Sequence, residues 1–133
     1  MSMNKYKKHL EYIENNPLLR KSFYFSIEIM KLCKEIRQNH REYSIASQLL
    51  RAGTSIGANA NEAVISSSRK DFINKMNISL KEAYETRYWL LLLAVSEYIG
   101  DADNYLEKIE ELIRMLVSII KTARENEKNQ VRT

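Results

Sequence analysis

The sequence has few of the residues that interrupt helices. Pro17 is its one proline, and Gly53, Gly57 and Gly100 are its three glycines in 133 residues. Strand-and-turn architectures need far more turn residues, so long helices with few connections are expected. Cysteine is almost absent too. Cys33 stands alone in an apolar helical stretch, which excludes an internal disulfide and reads as a core filler in a reducing compartment. The two histidines, His9 and His40, do not follow a glutamate by three residues, so the Glu-x-x-His pattern of bundle metal centres is missing. No apolar run approaches the roughly 20 residues that span a bilayer. The longest, residues 89–95, stops at Ser96 and Glu97. The N-terminus lacks the apolar stretch and cleavage site of a secretory signal, so a cytoplasmic protein without membrane contact is expected.

What is present describes a globular domain: 44% hydrophobic and 29% charged residues, with a formal net charge of +4. Residues 1–15 carry Lys5, Lys7, Lys8, Glu11 and Glu14 around a loose apolar pattern, consistent with a short helix or an arm. Asn16 and Pro17 then give a helix start, as N-cap and first helical residue. A four-helix bundle over residues 16–126 is predicted, with helices at about 17–38, 44–66, 69–98 and 102–125, and a flexible tail at 127–133. Short connections give such helices an up-down-up-down antiparallel order.

In the first helix, Phe23, Ile27 and Met30 form one apolar stripe and Phe25, Ile29, Leu32 and Ile36 another. The second helix is rich in small residues. Glycine inside a helix costs about 1 kcal/mol relative to alanine, so Gly53 and Gly57, one turn apart, point to close approach by another backbone. Ser67 or Ser68 caps the third helix, whose core candidates are Phe72, Met76, Leu80, Ala83, Leu90, Leu91 and Ala94. Ile99 and Gly100 give a left-handed stop signal. Leu106, Ile109, Ile113, Leu116, Ile120 and Ala123 make a seam spaced by threes and fours in the fourth helix.

Polar residues are patterned as well. Arg51, Ser55, Asn59 and Glu62 line one face of the second helix, and Lys75, Ser79, Glu82 and Glu85 one face of the third. Folding the two helices back around residues 67–68 brings Arg51 to Glu85, Ser55 near Glu82, and Glu62 to Lys75. A polar ladder between the helices is expected. Its carboxylates read as structural ion pairs, not as acid–base catalysts. Neither Cys33 nor any serine has a plausible base nearby, and no Gly-rich phosphate loop occurs. The chain reads as a non-enzyme without cofactor or metal.

Three segments, taken together, resemble a known family. They are Lys21-Ser22-Phe23-Tyr24-Phe25, the run Gln48-Leu49-Leu50-Arg51-Ala52-Gly53-Thr54-Ser55-Ile56-Gly57-Ala58-Asn59-Ala60-Asn61-Glu62-Ala63, and Lys81-Glu82-Ala83-Tyr84-Glu85-Thr86-Arg87-Tyr88-Trp89-Leu90. The chain is similar over about residues 17–122 to the bacterial four-helix bundle proteins called ribosomal protein S23 or 23S rRNA intervening-sequence proteins. It departs from many of them at Ala60 and Ala63, where a large aliphatic and a glycine are common. The resemblance implies a homo-oligomer, a ring of five bundles. It also implies kinship with the accessory variability proteins of diversity-generating retroelements, basic pentamers that bind a reverse transcriptase and its RNA template.

Two basic clusters are the candidate nucleic-acid contacts: Lys31, Lys34, Arg37 and Arg41 on the first helix, and Lys121, Arg124 and Lys128 on the fourth. The bland reading makes them solvated helix ends that complement the helix dipole. The competing function is a protein-binding or structural scaffold oligomer without a nucleic-acid role, in keeping with apolar surface on the first and fourth helices beyond what one bundle covers.

Overall fold

A computed structural model describes the backbone of residues 2–132 and the side chains of residues 4–130. The chain is all-α, and no strand occurs among the described residues. A single helical turn, α1 (Ser2–Lys5), precedes five helices: α2 (Lys7–Glu14), α3 (Pro17–His40), α4 (Ser44–Val64), α5 (Arg69–Val95) and α6 (Asp103–Arg132). The four-helix expectation therefore omits α2, which packs on α3 and contributes Ile13 to the edge of the core. Arg20 Nη1 donates to the Glu14 carbonyl at 3.0 Å, and the Tyr24 hydroxyl bonds the Glu14 carboxylate. Residues 7–15 are thus a docked element.

Local chemistry sets the helix ends. The Asn16 side chain accepts from the backbone N–H groups of Leu18 and Leu19, at 3.0 and 3.2 Å, with Pro17 in the first turn. Ser68, not Ser67, caps α5 by accepting from Asp71 N–H at 3.1 Å. The left-handed stop after α5 falls earlier than expected. Glu97 has φ 67°, while no glycine has positive φ. The Tyr98 N–H reaches back to the Leu93 carbonyl at 2.9 Å, and Glu97 N–H to Ala94 at 3.1 Å. That is a Schellman closure with a glutamate in the glycine position. Gly100 lies after it, and a β-carbon built there would meet open space. α6 continues as helix to Arg132 through the stretch expected to be a flexible tail; no glycine or proline follows Gly100 to break it, and Arg, Glu, Lys and Gln are good helix formers.

α4 lies between α3 and α5, while α6 packs on α5 and on α3. The close approach expected at the glycines occurs, and α3 is the element that makes it. A β-carbon built on Gly53 would sit 2.8 Å from Ile29 Cγ2, and one on Gly57 3.2 Å from Ser22 Oγ. Phe25, Ile29, Leu32 and Ile36 are buried, while Phe23 and Ile27 are half-buried and Met30 is 55% exposed. The α6 seam is buried from Ile109 to Ala123, with Leu106 at its margin.

α5 departs most from expectation. Met76, Ala83 and Leu90 are core residues as predicted, and Phe72, Leu80 and Ala94 pack at its edge. Leu91, however, is 45% exposed, and the buried face also takes Ile73, Ser79, Thr86 and Leu93. Ser79 and Thr86 are accommodated because each hydroxyl donates to a backbone carbonyl, of Ile56 at 2.8 Å and of Glu82 at 2.7 Å.

Candidate nucleic-acid interface

The α4–α5 contact is antiparallel and carries most of the expected ladder. Arg51 forks to two carboxylates: Nη1 donates to Glu82 at 3.0 Å, and Nη2 bonds Glu85. Glu85 also accepts from the Trp89 indole N–H at 3.1 Å. The Arg51 hydrogen bond holds the Glu85 carboxyl below its ordinary range. One turn short of the helix end, Lys75 Nζ meets Glu62 at 2.8 Å.

The middle rungs differ from expectation. Ser55 Oγ bonds its own helix, at the Arg51 carbonyl, and Asn59 Nδ2 bonds the Ser55 carbonyl. Ser79 lies in the core. The short Ser55 and Asn59 side chains satisfy themselves along their own helix, and Ser79 crosses the gap only as far as the Ile56 backbone carbonyl. The ladder is thus two ion-pair clusters with a buried serine between them, and it has no open carboxylate pair.

Two further pairs, Lys21 with Glu111 and Lys108 with Glu28 at 2.6 Å, join α3 to α6 in antiparallel register. They span a cleft of about 460 Å³ that Lys31 also lines. This register puts the C-terminal end of α3 and that of α6 far apart, so the two basic clusters occupy opposite ends of the molecule. At one end Lys31, Lys34 and Arg41 are exposed, and Arg37 Nη2 bonds Ser47 Oγ at 3.1 Å. Arg41 itself takes a left-handed conformation, φ 53°, to end α3. At the other end Lys121, Arg124 and Lys128 are exposed and share a shallow surface recess with Glu125 and Val117. None of these three cations has an ion-pair partner among the described residues. Such cations keep their charge available to a polyanion.

A third surface feature was not predicted. Tyr84, Tyr88, Leu91, Leu92 and Val95 fall at helical spacing on the outer side of α5 and are exposed, Tyr88 to 59% and Val95 to 82%. Arg87 lies over the Tyr84 ring at 5.2 Å. The signal is in the sequence, since α5 has apolar residues around most of its circumference, but of this stripe the periodicity singles out only Leu91, as a core residue.

A family model described as 23S rRNA-intervening sequence protein matches residues 14–118. The chain belongs to this family. It is similar to a crystal structure of a protein of unknown function from the S23 ribosomal protein family of Bacteroides thetaiotaomicron VPI-5482, at 45% identity and a TM-score of 0.77. The likeness covers 78% of this chain and 98% of that one. No curated protein matches. The S23 family match runs from just before α3 to the middle of α6, and takes in both ion-pair clusters of the α4–α5 contact; Lys121, Arg124 and Lys128 lie beyond it. Among the described residues, no helix is long and apolar enough to cross a membrane, and no group of His, Cys, Asp and Glu could hold a metal.

Proposed function

We propose that this S23-family chain is a non-enzymatic, oligomeric, cytoplasmic nucleic-acid-binding bundle, taking RNA or an RNA/DNA duplex. The observation that carries this reading is the free cationic cluster Lys121, Arg124 and Lys128, repeated in kind by Lys31, Lys34 and Arg41 at the far end. The family's description, tied to an intervening sequence of 23S rRNA, favours RNA as the partner. The antiparallel ion pairs favour an up-down-up-down order for α3–α6. A ring of five, as the family resemblance implies, would raise +4 per chain to roughly +20 and repeat each cluster around one axis. Service as an accessory subunit of a retroelement reverse transcriptase is the partner relation this reading favours.

The test is filter binding of a structured RNA across a salt series. Affinity should fall steeply with salt, and Lys121→Ala or Lys128→Ala should weaken binding to all sequences and reduce the log–log slope by about 1 each. Absence of binding at low salt overturns the reading.

The exposed stripe on α5 favours a second reading, a scaffold oligomer that meets other proteins or its own copies through that face. Native mass as a function of concentration, for the wild type and for Tyr88→Asp, separates assembly through this stripe from assembly elsewhere.

A further inference from the structure

The basic cluster of α6 and the exposed stripe of α5 lie along one line of the surface. Lys121, Arg124 and Lys128 share a recess of about 360 Å³ with Asn77 and Leu80, so the recess is a groove between α5 and α6. Tyr84 and Tyr88 follow Asn77 by seven and eleven residues, two and three turns on the same helix face, and so prolong that groove. The short connection after α5 sets the end of α5 beside the start of α6, which makes Lys128 the end farthest from Tyr88. At about 1.5 Å of rise per residue, the line from Tyr88 to Lys128 is roughly 25 Å long. It begins on aromatic rings and ends on cations.

Both rings are exposed yet held in place. The Arg87 guanidinium lies over the Tyr84 ring at 5.2 Å. Tyr88 stands edge-to-face with Trp89, their ring centroids 5.1 Å apart, and the Trp89 indole N–H is anchored on Glu85 at 3.1 Å. Surfaces ordered before binding lose less entropy when a partner arrives. The charge along the line favours an anion. Glu125 is the one carboxylate lining the recess, against three cations. Lys81, one turn before Tyr84, is exposed, and neither it nor Arg87 has an ion-pair partner among the described residues. Glu82 and Glu85, on the side toward α4, are taken by Arg51. Glu110, two turns before Val117 on α6, is exposed and marks where a polyanion is no longer attracted.

We infer that this α5–α6 track binds an unpaired stretch of RNA, its bases stacked on Tyr84 and Tyr88 and its phosphates met by Arg87, Lys121, Arg124 and Lys128. A duplex hides the faces of its bases and would leave the two rings idle, whereas loops and bulges offer faces and phosphates together. A second copy of the chain would need only the aliphatic end of the stripe, Leu91, Leu92 and Val95. Rings beside unpaired cations match a partner that joins flat faces to negative charge. The inference rests on the nucleic-acid reading above and deepens it, by naming the form of RNA and the surface that meets its bases.

Fluorescence anisotropy of labelled oligouridylate and of a blunt RNA duplex of equal length, across a salt series, tests it. The single strand should bind more tightly than the duplex at matched salt. Tyr84→Leu and Tyr88→Leu should each weaken the single strand about fivefold or more and leave the log–log salt slope unchanged, while Tyr84→Phe and Tyr88→Phe keep wild-type affinity. Lys121→Ala should instead lower that slope by about 1.

Wild-type single-strand affinity in both Leu variants overturns the track. Preference for the duplex, with sensitivity to Lys121 and Lys128 alone, overturns the track and leaves the proposed function standing. A lower native mass in Tyr88→Leu with unchanged RNA affinity assigns the stripe to a second copy and overturns it too. A wild type that binds neither RNA removes the proposed function and the track together. Should a Leu variant lose its wild-type melting curve or native mass along with its affinity, 4-thiouridine crosslinking to the wild-type chain decides. Adducts on Tyr84 or Tyr88 support the track, and adducts confined to other peptides overturn it.

Discussion

Gly53→Ala puts two physical terms in direct opposition. Alanine is the better helix former by about 1 kcal/mol, so on propensity alone the variant would gain stability. The structure sets a larger cost against that gain. The added methyl would lie 2.8 Å from Ile29 Cγ2, 3.2 Å from Cγ1 and 3.3 Å from Cβ, where ordinary contacts begin near 3.4 Å. Ile29 is fully buried, and its β-branched side chain cannot swing aside, so α3 and α4 must part. Three contacts at or inside 3.3 Å on one branched side chain place this overpacking in the upper part of the usual range, roughly 2–3 kcal/mol. The net expectation is a loss of about 1–2 kcal/mol in urea unfolding followed by far-ultraviolet circular dichroism, with an unchanged m-value. In a chain of this size that lowers Tm by roughly 3–7 °C. Ile29→Ala alone should cost about 2–5 kcal/mol through its cavity. The double variant should cost less than the sum of the singles by about 1 kcal/mol, because the new methyl fills part of the space vacated. A Gly53→Ala protein as stable as wild type, or strictly additive losses in the cycle, would refute glycine-limited packing of α3 on α4.

Other substitutions test other parts of the structure. Arg51 is half exposed, so Arg51→Ala should cost only about 1 kcal/mol at low salt and less at high salt, and Arg51→Glu should be partly rescued by Glu85→Arg; additive losses would break the pairing. Because Arg51 depresses the Glu85 carboxyl in the folded state, its stabilisation is present above the ordinary carboxyl range near pH 4.3 and is lost as pH falls through the lower folded value. Urea midpoints at neutral and acid pH should therefore converge between wild type and Arg51→Ala at the acid end, and a constant gap would contradict this. Glu97→Gly should raise stability by about 0.5–1 kcal/mol in the same assay, since φ 67° strains a side-chain-bearing residue but not glycine; a loss would deny the strain. Burial pushes the Cys33 thiol up to about 11, so iodoacetamide at pH 8 should label it only after unfolding, and rapid labelling of the native protein would show the core to be open there.

Much of the fold is legible because α3, α4 and α6 each bury one stripe. Asn16 with Pro17, the small residues of α4 and the seam of α6 announce caps, close approach and core through periodicity alone. α5 resists that reading. Its buried face includes Ser79 and Thr86, while its outer face carries Tyr84, Tyr88, Leu91, Leu92 and Val95, so hydropathy does not mark the inside. Only the backbone carbonyls that receive those two hydroxyls explain their burial, and carbonyl positions have no signature in side-chain pattern. The Arg51–Glu85 and Glu62–Lys75 pairs could be anticipated because long charged side chains reach across a helix contact. The rungs between them could not, because the shorter Ser55 and Asn59 close on their own helix.

The small-residue contact of α4 has a mechanical consequence. Where helices meet through glycine, alanine and serine, few rotamers can rearrange to absorb a displacement, so α3 and α4 are expected to shift together and not to slide past each other. α6 is held to α3 differently, by the flexible tethers Lys21–Glu111 and Lys108–Glu28 strung across an open cleft. Long charged side chains can swing and keep their contact while the helix shifts. Because α6 is fixed on its other side by the buried seam from Ile109 to Ala123 packed on α5, a load from a bound polymer or a neighbouring copy is expected to widen or narrow the α3–α6 cleft before it parts α6 from α5.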